Sequence, residues 1–197
     1  MKFQYNKISQ LQIEKQLKVR AQALPTLKNK ESALRMEVKR ARDKAHELDK
    51  QIRRETAELE QFMKLWAEFD PSLVAVKQVE LLTRNIAGTQ VPQLGRIDFE
   101  LRDYDLFSAP SWYLDGIEMV KRLATLQLER DVFWRKMQIL EHVRKKTTQK
   151  VNLYEKVQIP AFEDAILKIK RFLEDEENLS KAAQKILKGR TAKEDAA

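Results

Sequence analysis

The sequence contains no cysteine, which excludes disulfides and cysteine-based metal or catalytic sites and is typical of a reducing, cytoplasmic setting. Glycine and proline are scarce, with 4 and 5 residues among 197, and this scarcity disfavours β-sandwiches, barrels and disordered chains. No window approaches about 18 uncharged apolar residues, and the first residues lack the apolar core of a signal peptide. We therefore expect a protein that is neither exported by a standard signal nor inserted directly into a membrane.

Apolar residues in the first third of the chain recur at alternating steps of three and four. The set consists of Leu24, Leu27, Glu31, Leu34, Val38, Ala41, Ala45, Leu48, Ile52, Glu55, Leu59, Phe62 and Trp66. Such alternation is the seam of a coiled coil, in which each side chain enters a gap on a facing helix. It predicts one helix from about Lys7 to Phe69, kinked at Pro25. The two glutamates either pair with arginines across the seam or mark places where the helices separate.

The middle of the chain follows a different pattern. Between Ser72 and Leu106, short runs alternate apolar and polar residues, and glycines and prolines separate the runs, which predicts a β-hairpin-like insert. A second helical arm then extends to about Lys188, with a kink expected at Pro160. Its seam after the kink consists of Ile159, Phe162, Ile166 and Ile169.

These patterns together predict a mainly α fold. The N- and C-terminal helices form a long antiparallel two-helix coiled coil, and a small β-hairpin-containing insert lies in the middle. The predicted domains are an N-terminal coiled-coil arm at 1–70, the insert at 71–110, a C-terminal coiled-coil arm at 111–190 and a flexible tail at 191–197. A homodimer in which each arm meets its own copy is the structural alternative.

The sequence offers no recognisable chemistry. It has no phosphate-binding loop or dinucleotide fingerprint, and we predict no catalytic, metal-binding or cofactor-binding residue. His46 and His142 stand in charged helical stretches, where solvated histidines are favoured over a metal pair. The densest basic cluster, 144–146 with Lys150, contains no aromatic residue for base stacking, so nucleic-acid binding is not expected.

Three stretches resemble the D subunit of the V-type/A-type rotary ATPases. The C-terminal stretch carries the motif Val151, Asn152, Glu155, Ile159, Pro160 and Glu163, followed by Ile166, Ile169 and Leu173. The N-terminal stretch is similar through Asn6, Lys7, Leu11, Leu17, Lys18, Leu27, Lys28, Lys30 and Leu34. The middle run is similar through Asn85, Gly88, Val91 and Pro92. The resemblance therefore covers both arms and touches the insert.

The resemblance implies a non-catalytic central-stalk rotor shaft that itself binds no nucleotide or cofactor. The paired helices would enter the ring of catalytic A and B subunits, while the middle region meets the F subunit and the connecting subunit on the membrane side. We expect Lys15, Lys18 and Arg20 to face the ring through salt-screened contacts. We expect the insert to be the docking site for the F subunit, through Asn85, Gly88, Val91, Pro92, Ile97 and Phe99.

Three other interpretations compete with this one. The shaft of an F-type synthase is disfavoured because no βαβ-like segment separates the arms. A nucleic-acid-binding helical arm would show a steeply salt-dependent affinity for RNA. A coiled-coil scaffold or chaperone would more often be a homodimer.

Overall fold

The computed structural model describes residues 3–60, 66, 68–105 and 109–194. Its elements follow one another as helix α1 (Lys7–Glu60), a 3₁₀ turn (Pro71–Leu73), strands β1 (Val74–Ile86) and β2 (Thr89–Leu101), helix α2 (Tyr113–Asn152), a π-helical segment (Leu153–Gln158) and helix α3 (Ile159–Glu194). The described chain is thus mainly helical, with a two-stranded antiparallel hairpin in the middle, as predicted.

Helix α1 begins where a side chain satisfies its first amides. Asn6 accepts a hydrogen bond from the backbone N–H of Ser9 at 2.7 Å, the geometry of a helix N-cap. The helix continues through Pro25 to Glu60, so the proline does not end it. The predicted last turns, at 61–65 and 67, lie outside the described residues.

The hairpin has longer strands than the sequence pattern predicted. Ile86 pairs with Thr89, and the two residues between them, Ala87 and Gly88, have φ angles of 49° and 75°. Positive φ at both central residues is the requirement of a type I′ turn, whose twist matches that of the flanking strands. Of the glycines and prolines expected to separate the strands, Pro92 and Gly95 lie within β2. Pro92 is tolerated because both strands of a two-stranded sheet are edge strands.

Helix α2 begins beside a cluster of aromatic rings. Phe69, Leu73 and Ile117 are buried there, and Trp66, Trp112 and Tyr113 pack against them. The Tyr113 hydroxyl donates a hydrogen bond to the backbone carbonyl of Glu68 at 2.6 Å, which satisfies the polar end of this side chain. Trp66 and Trp112 are therefore packing residues, as the sequence indicated.

The C-terminal arm changes helical type just before Pro160. The N–H of Ile159 donates to the carbonyl of Tyr154, five residues earlier, at the end of the π-helical segment. Proline has no N–H and crowds the carbonyl four residues before it, so a wider turn relieves that conflict. The change of helical type thus lies directly before Pro160, where the sequence predicted a kink. Helix α3 reaches Glu194, so part of the segment predicted to be a loose tail is helical, whereas 195–197 lie outside the described residues.

The chain divides into two compact units, and each has its own core. The first unit comprises 1–29 and 147–197, and its buried cluster joins α1 to α3 through Ile13, Phe162, Ala165 and Ile169. The second unit comprises 30–146, and its cluster joins α1, α2 and β2 through Leu34, Val38, Val91 and Leu140. Helices of one chain thus supply both sides of each core.

Candidate functional site

The seam predicted for α1 is its least exposed face. Every seam residue from Leu24 to Leu59 is buried or half-buried, and Leu34, Ala45 and Leu48 are almost completely buried. The neighbouring positions are mostly charged or polar and exposed. Phe62 lies outside the described residues. The periodic face therefore contacts other parts of the same chain and leaves charged residues on the outer face.

The predicted seam of α3 is also directed inward. Phe162 and Ile169 are buried, and Ile159 and Ile166 are half-buried. Their main partner on α1, Ile13, was not in the predicted seam, which began at Leu24. Continuing the steps of four and three backwards from Leu24 reaches Arg20, Leu17, Ile13 and Gln10, all of which are buried or half-buried. The periodic pattern therefore extends to Gln10, but the polar residues at two of its positions, Arg20 and Gln10, made it hard to recognise in the sequence.

Arg20 is a half-buried seam residue with partners inside the chain. Its guanidinium donates to the Gln158 side-chain carbonyl at 2.5 Å and lies 4.8 Å from the centre of the Phe162 ring. These contacts occupy much of its hydrogen-bonding and cation–π capacity. Of the three predicted ring contacts, only Lys15 and Lys18 are exposed.

The two glutamates in the seam pair with arginines of α2. Glu55 forms an ion pair with Arg122 at 2.5 Å, and the Glu31 carboxylate lies 3.9 Å from the Arg144 guanidinium. Glu31 also pairs with Arg35 of its own helix, at the shorter distance of 3.0 Å. Of the two alternatives that the sequence left open, pairing across the seam is observed, closely for Glu55 and at the longer distance for Glu31. Hydrogen bonds from Arg144 to Glu141, the shorter at 2.7 Å, hold the pKa of Glu141 below its usual value.

The order of these contacts gives the relative direction of the helices within each unit. In the unit 30–146, Glu31 meets Arg144, Asp49 meets Arg130 and Glu55 meets Arg122, so the partner number falls as α1 advances. In the other unit, Ile13 packs beside Ala165, Arg20 meets Gln158 and Lys28 meets Glu155. The helices are therefore antiparallel in each unit.

Two of the residues that carried the resemblance contact each other directly. The Lys28 ammonium lies 2.6 Å from the Glu155 carboxylate, and this pair links α1 to the π-helical segment. Both side chains are almost half exposed, so the pair contributes at most about 1 kcal/mol to stability. Among the other motif residues, Val151 is half-buried, whereas Asn152, Pro160 and Glu163 are exposed.

The hairpin has an inner face against the helices and an outer face. Val91 is 1% exposed and packs on Leu34, Val38 and Leu140, so this predicted docking residue belongs to the core. Its burial follows from the alternation of side chains across a strand, which turns every second residue toward the helices. The other predicted docking residues are exposed (Asn85 and Gly88) or half-buried (Pro92, Ile97 and Phe99).

The most exposed apolar side chains of the hairpin were not predicted from the sequence. Val76, Leu81, Leu82 and Leu101 have exposed fractions between 43% and 56%. Leu81 stands opposite Leu94, where the register of the ladder shifts between Val79 and Leu81. Such a shift reverses the faces that strict alternation predicts. We call these four exposed apolar residues the hairpin surface, although they do not all share one face of the sheet, because consecutive residues such as Leu81 and Leu82 point to opposite sides of a strand.

The histidines and carboxylates of the described residues were the candidates for a metal site. Among them, no group of three or more His, Asp or Glu side chains is arranged to hold a metal ion. The His46 ring stacks edge-on against Trp134, with 5.8 Å between ring centres. In the same described part of the chain, no helix is long and apolar enough to cross a membrane.

Comparisons with known proteins agree with this arrangement. The family model for the D subunit of ATP synthase matches residues 9–189. The chain is 32% identical over 177 residues to the V-type ATP synthase D subunit of Borreliella burgdorferi, covering 88% of this chain and 87% of the relative. It is 29% identical to the protein of the same name from Chlamydia pneumoniae, covering 83% and 81%, and 31% identical to that from Chlamydia muridarum, covering 77% of each. The chain therefore belongs to the family of ATP synthase D subunits.

Proposed function

We propose that this chain is the central-stalk rotor subunit of a V-type ATPase or ATP synthase and transmits torque between the catalytic A/B ring and the ion-translocating membrane ring. Catalysis takes place in the ring subunits, and this chain contributes no catalytic group. The observation that carries the proposal is the seam of α1, because its apolar side chains are used in contacts within the chain and its outer positions are charged. In this family such a surface suits a part that must turn inside a ring without adhering to it.

The proposal includes an antiparallel coiled coil within each unit. The direction of the helices and the burial of the seam support it, since knobs-into-holes packing uses these positions. Sedimentation of the isolated full chain tests the within-chain pairing against the homodimer alternative. A monomer is expected, and a stable dimer at low micromolar concentration would contradict it.

Complex formation tests the function itself. A tagged copy of the chain, expressed in its native cell, is expected to recover the catalytic A and B subunits, the F subunit and the membrane-side connecting subunit, on the cytoplasmic side of the membrane. Complexes assembled without the chain are expected to lose ATP-driven ion transport. Recovery of RNA in place of these subunits, with a steep salt dependence, would instead support the nucleic-acid alternative.

Lys15 and Lys18 are the proposed contacts with the ring. Both are exposed on α1 and offer positive charge to acidic or dipolar surfaces. The double substitution Lys15→Glu and Lys18→Glu is expected to lower ATPase rate or retention of the chain in the complex and to make both less sensitive to salt. The matched control is Lys50→Glu with Arg54→Glu, which makes the same charge change at exposed positions of the same helix. Equal effects of the two pairs would refute a specific role for Lys15 and Lys18.

The hairpin surface is the proposed docking site for the F subunit. An exposed apolar surface on edge strands favours association with a partner, and Leu81 and Leu82 are its most exposed members. The pair Leu81→Ser and Leu82→Ser is expected to release the F subunit while leaving the thermal unfolding of the chain almost unchanged. The control pair Leu179→Ser and Leu187→Ser removes two leucines of α3 that are even more exposed, and it is expected to retain the F subunit.

A further inference from the structure

An open cavity of about 510 Å³ lies between α1, the end of the hairpin and α2, in the unit 30–146. Its lining includes four cationic side chains, Arg40, Lys44, Arg84 and Lys136, and a single acidic one, Glu37. Three separate elements supply the cations, so their convergence is a property of the fold and cannot be read from any one helix. The volume is in the range of cavities that hold small molecules.

Two of the four cations already have acidic partners. Arg40 pairs with Glu37 at 2.7 Å, and Lys44 pairs with the mostly exposed Glu47 at 3.0 Å. Both pairs are local to α1 and contribute little to stability. They therefore leave these two side chains able to turn toward a more highly charged ligand.

Arg84 and Lys136 are different. Within the part of the chain that the structure describes, neither forms a salt bridge, and the Lys136 ammonium lies 5.5 Å from the centre of the Phe133 ring. Arg84 stands opposite the buried Val91 in the β ladder, and directly opposed residues share a face of the sheet. Arg84 is therefore on the side of the hairpin that faces the helices, where it lines the cavity and remains exposed to solvent.

A second cavity of about 310 Å³ adjoins the first and shares Arg84, Phe133 and Lys136 with it. Its lining is mainly apolar along β2, and its one carboxylate is Glu129 on α2. A single carboxylate in the neighbouring cavity does not neutralise the excess of positive charge around the first. Arg84 and Lys136, which form no salt bridge among the described residues, thus line a space that a ligand can enter.

We propose that this cavity is a binding site for a small anion that carries two or more linked phosphate groups. A guanidinium provides a planar fork for two phosphate oxygens, and lysine ammoniums add compact charge around it. Two or more linked phosphates match a cavity with two unpaired cations and two that can reorient. A partner's acidic peptide fits less well, because an extended peptide is bound along a strand edge or a long groove, whereas these four cations surround one space of about 510 Å³.

Calorimetric titration of the full chain with inorganic pyrophosphate and tripolyphosphate at low ionic strength tests the proposal. The variant Arg84→Gln with Lys136→Gln is expected to bind at least roughly tenfold more weakly, since two charge-assisted contacts are removed. The charge-conserving variant Arg84→Lys with Lys136→Arg is expected to retain most of the binding. The control Arg53→Gln with Lys77→Gln removes the same two residue types from exposed positions on a helix and on the hairpin, outside both cavities.

Binding that is weakened by the cavity pair and spared by the control pair supports the site. Equal weakening by both pairs would show general attraction to a basic protein and would overturn the proposal. Absence of heat with both phosphates, together with binding of a hexaglutamate peptide that needs Arg84 and Lys136, would assign the cavity to an acidic partner and also overturn it. Circular dichroism of each variant verifies that the helices are retained. Failure of this site would leave the assignment of the chain to its family unchanged.

Discussion

The substitution Leu140→Ala tests whether the hairpin and two helices share one core. Leu140 is 0% exposed and packs against Leu34 and Val38 of α1 and Val91 of β2. Truncation removes three carbon atoms from an apolar environment, about 2.4 kcal/mol at 0.8 kcal/mol for each. The cavity left behind adds to this loss, because surrounding side chains relax only in part. We expect the free energy of unfolding to fall by about 3 to 4 kcal/mol.

Urea denaturation of the full chain, followed by circular dichroism at the helical band, measures this change. The matched control is Leu179→Ala on α3, where the leucine is 72% exposed and the same atoms are removed. Its effect is expected to stay within about 0.5 kcal/mol, since exposed substitutions rarely exceed that value. A loss below about 1 kcal/mol for Leu140→Ala, or equal losses at the two positions, would refute the packing described for this core.

A double-mutant cycle extends the test to the hairpin. If Val91 contacts Leu140 as described, the losses from Val91→Ala and Leu140→Ala are not additive, and their coupling is about 0.5 to 3 kcal/mol. Additive losses would mean that the hairpin does not pack on this part of α2.

Three further predictions concern single positions. Ala87 has a φ of 49°, so Ala87→Gly is expected to stabilise the chain by about 1 kcal/mol, and a lower urea midpoint would contradict this. Gly116→Ala is expected to lower the midpoint of thermal unfolding, because the added methyl carbon would lie 3.1 Å from the Trp112 ring. Alanine favours helices over glycine, so a higher midpoint would show that the ring moves aside. The pKa of Glu141 is lowered from 4.5 by the Arg144 hydrogen bonds, so its contribution to stability is present above pH 4.5 and is lost as pH falls through the lower folded value. Glu141→Gln is therefore expected to reduce the decrease in the free energy of unfolding between about pH 5 and pH 3. An unchanged decrease would contradict a stabilising role for the Glu141–Arg144 pair.

The long helices were predictable because their signal is periodic and repeated. The steps of three and four between Leu24 and Leu59 select one face of α1, and that face is the least exposed one in the structure. The predicted seam nevertheless began at Leu24, whereas the buried face of α1 begins nearer its N-terminus. Arg20 occupies a seam position with a long polar side chain, and only its partners, Gln158 and Phe162, show why it is accommodated there.

The faces of the hairpin were not predictable to the same degree. Alternation shows that two faces exist but does not say which one meets the helices, so Val91 was expected to be on a docking surface and is in the core. The ladder is also irregular between Val76 and Gln78 and again between Val79 and Leu81. Each irregularity changes the pairing of later residues, and nothing in a period-two pattern marks its position.

The polar seam residues explain how one pairing of the helices is preferred over others. An all-apolar seam packs acceptably in several registers, whereas a polar residue in the seam is satisfied in only one. Arg20, Glu31 and Glu55 each meet a polar or charged partner from the opposing arm of their own unit. A shift of one heptad would separate Arg20 from Gln158, Glu31 from Arg144 and Glu55 from Arg122. We therefore expect these three residues to favour one register and one relative direction of the helices over the alternatives.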